Sequence, residues 1–267
     1  AHVTCGAVVE MIHMATLVHD DVLDEADTRR RGETVNRLHG NEAAVMLGDY
    51  LIASAYHLCS QLDSPKTSLR VAQVAMTLCA GELLQLSHRE DFSLDEATYF
   101  EVIDRKTGAL VALSCGLGAT FAGADERTVA RLERFGRKIG LAFQIQDDLL
   151  DLTGRQAALG KPVGKDMEKG KLTLPMIHHL AAAPPQERGR SLRLMEAATG
   201  GGGDGPGAAD AAGALVHALV ASGSLAHARE TAERMIAEAK AELAPLPAGP
   251  ARETLLSMAD AVLNRSS

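Results

Sequence analysis

Two short acidic segments contain the side chains whose types and spacing are best suited to binding a metal ion. Both have the form Asp-Asp-x-x-Asp: DDVLD contains Asp20, Asp21 and Asp24, and DDLLD contains Asp147, Asp148 and Asp151. In an α-helix the first and last aspartate of each segment lie on one face, a turn apart, where like charges repel. Mg²⁺ relieves such repulsion and binds through one or two carboxylates together with substrate phosphates. The spacing therefore predicts a magnesium site at each segment.

The surroundings of the two segments decide between a metal site and a solvated acidic face. Both segments end strongly apolar stretches, MIHMATLVHDD and GLAFQIQDD. Carboxylates at the C-terminal end of a helix are unfavourable with respect to the helix dipole. A compensating cation is therefore expected, and the repetition of the motif favours metal binding over a solvated face.

Basic residues follow each acidic segment. The first is followed by Arg29, Arg30 and Arg31, and the second by Lys161, Lys165, Lys169 and Lys171. Arginine offers a planar fork for phosphate oxygens, and lysine offers a mobile point charge. A solvated charge run would account for the lysines alone, but not for the duplicated arrangement. The pattern indicates a site at which Mg²⁺ bridges protein carboxylates and a diphosphate.

The elements that carry these residues are predicted to be helices. Helical periodicity dominates the sequence, and alternation of period two is almost absent. Ser93 followed by Glu96 resembles a capping box and predicts a helix start at Ser93. The predicted helices cover residues 5–24, 42–61, 67–89, 93–107, 110–121, 126–153, 173–183, 185–198, 208–221, 225–243 and 250–264. The sequence therefore predicts one all-α domain.

Composition excludes some classes of protein. The net charge of −8 argues against binding of nucleic acid, which needs clustered Lys and Arg. The longest apolar stretch, residues 109–124, is too short for a membrane span, so no stable membrane insertion is expected. The four isolated cysteines, Cys5, Cys59, Cys79 and Cys115, are interpreted as reduced core thiols of a cytoplasmic protein.

Several stretches of the sequence together resemble the trans-isoprenyl (polyprenyl) diphosphate synthases, particularly their long-chain branch. They are MIHMATLVHDDVLDEADTRR, TVNRLHGNEAAVMLGDYL, AGELLQL, DRKTGAL, FQIQDDLLDLTG and LGKPVGKDMEKGKLTLPMI, in the family's order. The resemblance covers most of the chain and implies a bundle of long helices around a central cavity, in a homodimer. It also implies that residues 1–267 form a single synthase domain without the family's N-terminal helices and their Gly-Gly-Lys…Arg contacts.

The resemblance implies roles for individual residues. The six aspartates would hold about three Mg²⁺ ions on the allylic diphosphate. Three basic residues would contact that diphosphate, Arg29, Lys106 and Lys161, and Lys171 would also bind substrate. His13 and Arg30 would hold isopentenyl diphosphate, although a histidine such as His13 is, by itself, more often a core residue. Catalytic roles near the allylic cation are expected for Lys106, Thr107 and Gln144.

The implied reaction condenses isopentenyl diphosphate with an allylic diphosphate to give a longer trans-polyprenyl diphosphate. In this family, residues just before the first acidic segment help to limit product length. Ala15 and Thr16 stand there, and both are small, so a product longer than C15 is expected. Residues further along the tunnel, such as Met46 and Leu47, would also contribute.

Three other functions remain open from the sequence. A class I terpene cyclase shares the helical architecture, but the full second Asp-rich motif favours a synthase. A non-catalytic subunit of a heteromeric synthase tends to lose these aspartates, which are all present here. A metal-binding helical bundle without turnover would leave the KTG motif and the arginine pair without a function.

Overall fold

The computed structural model describes residues 1–30, 32–62, 64–153, 165–199 and 206–265. These residues are almost entirely helical, with one two-stranded hairpin. The elements are α1 (His2–Leu23), β1 (Thr28–Arg29), β2 (Gly32–Glu33), α2 (Val35–His39), α3 (Asn41–Ser60), α4 (Pro65–Ser87), α5 (Glu96–Ile103), a π-turn (Asp104–Gly108), α6 (Ala109–Phe121), α7 (Glu126–Thr153), α8 (Lys165–Glu168), α9 (Leu174–Ala182), α10 (Pro185–Thr199), α11 (Pro206–Ala221), α12 (Ser224–Leu243) and α13 (Pro250–Leu263).

Two apolar clusters hold the helices together. One lies between α1, α3, α4 and α6 and is centred on residues such as Val8, Ile12 and Leu117. The other surrounds α7, which packs along α6 on one side and α12 on the other, and it includes Phe135 and Ile145. α1 belongs to the first cluster and α7 to the second. The two helices that end in the acidic segments are therefore held in place by different parts of the core.

Local sequence signals explain where several helices begin. Ser64 accepts a hydrogen bond from the Thr67 amide at the start of α4, with proline in the first position. Asp125 accepts from the Thr128 amide at the start of α7. These caps satisfy backbone donors that have no partner within the helix.

The π-turn is enclosed between α4 and α7, and glycines make both approaches possible. A Cβ added at Gly81 of α4 would lie 2.7 Å from Arg105 Cβ, and one at Gly140 of α7 would lie 3.0 Å from Gly108 Cα. The backbone of the turn therefore occupies the space that side chains would fill. Widened turns of this kind often occur at functional sites, and this one carries Lys106 and Thr107.

The predicted helices are found in the structure with shifted boundaries, and the short helices α2 and α8 were not predicted. The helix predicted from Ser93 begins instead at Glu96, because the Asp95 side chain caps it by accepting from the Thr98 amide. The Ser93 hydroxyl donates to Asp91 and takes no part in capping. This helix also ends in the π-turn, and the hairpin at 28–33 was not predicted.

The interpretation of the cysteines requires one correction. Cys5 and Cys59 are buried and Cys115 is half-buried, but Cys79 is exposed on α4 and is not a core thiol. All four are free thiols.

Within the part of the chain that the structure describes, no single helix is long and apolar enough to cross a membrane. The segments Asp210–Ala221 and Ser224–Leu243, bent by 66° at their junction, meet that test of length and composition only as a pair.

Candidate active site

The first acidic segment lies at the C-terminal end of α1, and its aspartates have different surroundings. Asp21 is only 5% exposed; its Oδ1 accepts a hydrogen bond from Arg29 Nε at 2.8 Å and lies 2.8 Å from Arg29 Nη2 in an ion pair. Asp24 is the C-cap residue of α1 and pairs with Lys169 at 3.1 Å. Asp20 lies in the last turn of α1 and is half-buried. Arg29 is held on β1, so the hairpin places this guanidinium beside the acidic segment.

Asp20 lies among charged groups of both signs. Burial raises the pKa of Asp20 to about 6; Lys106 opposes this effect, and Glu82 and Asp24 add to it. The ammonium group of Lys106 contacts the Glu82 carboxylate and donates to the Gln85 side chain, both on α4. A cation bound beside Asp20 would favour its ionised form and offset the cost of burying that charge.

The second acidic segment is in the last two turns of α7, and its middle aspartate is enclosed. Asp148 is 1% exposed and accepts hydrogen bonds from the Tyr99 hydroxyl at 2.7 Å and from Gln144 Nε2 at 3.0 Å. Gln144 Oε1 in turn accepts from the Thr107 hydroxyl at 3.2 Å. Burial raises the pKa of Asp148 to about 7, against the opposing charge of Lys171. Thr107, Gln144 and Asp148 thus form one hydrogen-bonded chain.

The outer aspartates of the second segment point toward different partners. Asp147 pairs with Arg265 at 2.9 Å, and the Arg265 guanidinium also lies 4.1 Å from the ring centre of Phe143. Burial raises the pKa of Asp147, although Arg265 lowers it. Asp151 accepts a hydrogen bond from the Asp166 amide at 3.2 Å.

The segment that follows residue 164 connects the two acidic segments. Its Asp166 amide contacts Asp151 of the second segment, and its Lys169 contacts Asp24 of the first. Lys171 donates to Asp166 at 3.1 Å. Although burial would lower the pKa of Lys171, Asp166 and Asp148 raise it overall. The ends of α1 and α7 therefore face a common space lined by carboxylates and lysines.

Some predicted site residues are not brought into these contacts. His13 lies two turns before Asp20 and pairs with Glu10 at 3.6 Å. Arg30 is exposed and has a positive φ of 49° at the hairpin turn. Lys161, like Arg31, lies outside the described residues. The roles predicted for these residues stay predictions.

Several residues of the site were missed by sequence reasoning. They are Glu82, Gln85, Tyr99, Asp166 and Arg265. Glu82 and Gln85 lie in the stretch AGELLQL, whose resemblance to the family could have identified them as site residues. Tyr99 and Arg265 had none, since their partners are remote in sequence.

The donor set fits a hard divalent cation whose coordination is completed by a phosphate. No group of three or more His, Cys, Asp or Glu side chains is arranged to hold a metal by itself among the described residues. Mg²⁺ commonly uses one or two carboxylates, with waters and substrate phosphates completing its octahedron. Half-buried Asp20, Asp24 and Asp147 are suitable ligands of this kind.

Comparison with known proteins identifies the family. Residues 1–201 match the model of the polyprenyl synthetase family. The octaprenyl diphosphate synthase of Escherichia coli (strain K12) is 36% identical over 274 aligned residues, which cover 99% of this chain and 80% of that protein. The chain belongs to the polyprenyl synthetase family. It is an enzyme, a prenyltransferase, and the predicted reaction class is confirmed.

Solved structures agree with this assignment. A decaprenyl diphosphate synthase from Rhodobacter capsulatus has a TM-score of 0.90 and 35% identity, covering 99% of this chain and 79% of its own. A polyprenyl synthase from Caulobacter crescentus CB15, complexed with calcium and isoprenyl diphosphate, has a TM-score of 0.88 and 34% identity, covering 99% and 78%. The predicted all-α isoprenoid-synthase fold is confirmed, and the family is magnesium-dependent.

Proposed function

We propose that the space between the ends of α1 and α7 binds the diphosphate group of the allylic substrate. The observation that carries this proposal is the pair of acidic segments joined through Lys169 and Asp166, with Lys106 close to Asp20. Asp20, Asp24, Asp147 and Asp151 would hold about three Mg²⁺ ions on this diphosphate. Asp21 and Asp148 are buried and already hydrogen-bonded, so they would orient neighbouring side chains of the site and would not bind the metal directly.

When bound, magnesium supplies Lewis-acid stabilisation of the diphosphate as it leaves. Arg29 and Lys106 add fixed and mobile positive charge to the same group, and Lys171 and Lys161 are proposed to assist. The allylic C–O bond breaks and the diphosphate takes the electron pair. The double bond of isopentenyl diphosphate, held by His13 and Arg30, forms the new C–C bond, and the proton lost from the adduct passes to the departed diphosphate.

The π-turn provides dipoles for the cation that forms when the C–O bond breaks. Thr107 and the carbonyl end of Gln144 meet at 3.2 Å beside the turn. Oriented dipoles stabilise developing charge without reorganisation during the reaction. The apolar residues that precede each acidic segment exclude water, which would otherwise quench the cation.

A product longer than C15 is supported by the residues below the first acidic segment. Ala15 and Thr16 stand five and four residues before Asp20 on α1, and neither has a bulky side chain. The growing chain would pass these two small residues before it meets larger aliphatic ones. Met46 is 65% exposed on α3 and does not line the core of the chain described here.

A homodimer is supported by an apolar stripe on α4. Leu69, Met76 and Leu83 are spaced by seven residues and are 59%, 72% and 68% exposed. Residues so spaced share one helix face, and Met46 of α3 is exposed in the same manner. Large exposed apolar surfaces mark interaction sites, and a second copy of this chain fits a self-complementary one. A different subunit of a heteromeric synthase is the alternative.

Incorporation of labelled isopentenyl diphosphate into extractable lipid tests the function. The assay contains Mg²⁺ and a C15 or C20 allylic primer, and products are separated by length. Incorporation that depends on Mg²⁺ and is lost in Asp20→Ala supports the proposal, with Asp210→Ala on the exposed face of α11 as a matched control. Incorporation that persists at full rate in Asp20→Ala would contradict the proposed site.

A further inference from the structure

Tyr99 makes a contact that the proposed reaction does not explain. Its side chain is 4% exposed on α5, and its hydroxyl donates to Asp148 Oδ2 at 2.7 Å. Asp148 is itself 1% exposed. Burying a phenol and a carboxyl group together costs free energy, because both groups lose hydration. A function for this pair would explain why that cost is accepted. Packing alone would be satisfied by phenylalanine at this position.

The hydrogen bonds continue from Asp148 to the π-turn in one direction. Asp148 Oδ1 accepts from Gln144 Nε2 at 3.0 Å, and Gln144 Oε1 accepts from Thr107 Oγ1 at 3.2 Å. Asp148 Oδ2 already accepts from the Tyr99 hydroxyl, and the NH₂ group of Gln144 faces Oδ1 while its amide oxygen accepts from Thr107. Its carbonyl oxygen then faces the π-turn. The carboxylate thereby selects one of the two orientations of the Gln144 amide.

Both oxygens of Asp148 have partners, one on α5 and one on α7. Without the Tyr99 hydroxyl, Oδ2 would be buried and unsatisfied, and the carboxylate would gain freedom to rotate away from Gln144. Tyr99 therefore holds the Asp148 carboxyl group in place, and that group in turn holds the orientation of the Gln144 amide. Tyr99 lies seven residues before Lys106 on the helix that runs into the π-turn, so one rigid element supports both ends of the chain of hydrogen bonds.

We propose that Tyr99 is a positioning residue for the condensation, which acts through Asp148 to aim the Gln144 carbonyl at the site of the allylic cation. The inference rests on the proposed function and adds to it a residue with no direct substrate contact. It requires that Tyr99 affect the chemical step and leave diphosphate binding unchanged. Asp148 then serves as an orienting acceptor, and metal binding falls to the half-buried aspartates.

Kinetics of Tyr99→Phe test this role. We expect kcat to fall about tenfold, as when an oriented dipole is lost near developing charge, while KM for both substrates and the half-saturating Mg²⁺ concentration change less than about twofold. Tyr56→Phe on α3, which removes a hydroxyl outside this network, is the matched control and should retain wild-type kcat. A Tyr99→Phe variant with unchanged kcat would overturn the proposal.

A second variant separates positioning from metal binding and from misfolding. Asp148→Asn keeps the volume but can also donate, so it no longer selects the orientation of Gln144. We expect it to lower kcat with unchanged Mg²⁺ dependence, and the double variant with Tyr99→Phe to be no slower than Asp148→Asn alone. A large rise in the half-saturating Mg²⁺ concentration, or fully additive losses, would contradict the proposal. Absence of incorporation by the wild-type chain would refute the proposed function itself, and the role of Tyr99 with it.

Discussion

Gly81→Ala is the substitution that tests most sharply how α4 positions the π-turn. A Cβ at position 81 would lie 2.7 Å from Arg105 Cβ and 3.0 Å from the Lys106 amide nitrogen. Two of the nearest three atoms belong to the backbone, so the turn itself must move. Added volume in a packed contact costs about 1–3 kcal/mol. Alanine offsets about 0.5–1 kcal/mol of this because it favours the helix more than glycine does.

The expected result is a moderate loss of stability with a larger loss of activity. The difference is a net cost of up to about 2.5 kcal/mol, which lowers Tm by up to roughly 5 °C in a chain of this size. Because a displacement of about 1 Å in a catalytic group can cost about a hundredfold in rate, a shift of a few tenths of an ångström at Lys106 is expected to lower kcat by about tenfold. Thermal denaturation and the incorporation assay measure the two effects.

Gly118→Ala is the matched control. Gly118 lies on α6, and an added Cβ there meets no atom within 4 Å. The variant should gain about 0.5–1 kcal/mol from helix propensity and retain its kcat. If Gly81→Ala had the same Tm and activity as Gly118→Ala, the close approach of α4 would not position the turn, and the reasoning would be refuted.

Three further predictions follow from single residues. In EDTA, Asp20→Asn should raise Tm at pH 7.5 and raise it less at pH 5, because the pKa of Asp20 is raised to about 6, so its ionisation destabilises the fold increasingly from about pH 4 and fully only above about pH 6. Ala15→Phe should shorten the product ladder, since Ala15 is small and lies five residues before Asp20. Met76→Glu should convert a dimer to a monomer in analytical ultracentrifugation, since Met76 is the most exposed residue of the α4 stripe.

Each of these predictions has a contradicting result, and two of them have a control variant. Asp210→Asn, on an exposed residue, should show no pH-dependent increase in Tm. An equal increase in Tm for Asp20→Asn at both pH values would contradict the claim that burial raises the pKa of Asp20. An unchanged ladder in Ala15→Phe would show that the growing chain leaves by another path. Met258→Glu, exposed on α13, should leave the oligomer intact, and a dimeric Met76→Glu would place the interface elsewhere.

Much of the fold was predictable because helical periodicity and caps act locally. The bounds of α7, Glu126–Thr153, match the prediction because its start is capped by Asp125 and its apolar face is regular. α5 begins at Glu96 and not at Ser93. Both Ser93 and Asp95 have side chains that can cap a helix, and in the structure Asp95 is the residue that caps it. The π-turn was not predictable, because it depends on how closely α4 and α7 approach it.

The candidate site was predictable in its residue types but not in its pairing. The spacing of Asp20 and Asp24 was sufficient to indicate metal chemistry. The different environments of neighbouring aspartates, such as Asp147 and Asp148, arise from contacts with Arg265 and Tyr99. These partners lie 118 and 49 residues away in sequence, and no local pattern specifies them.

The central claim is that both acidic segments act on one diphosphate through magnesium. Isothermal titration of a non-ionisable analogue of a C15 allylic diphosphate, with and without Mg²⁺, tests it most directly on the wild-type chain, Asp20→Asn and Asp147→Asn. The account predicts that binding requires Mg²⁺ and that each substitution alone weakens it by at least about tenfold, since each removes a carboxylate from a shared site. Wild-type affinity in either variant would contradict the claim.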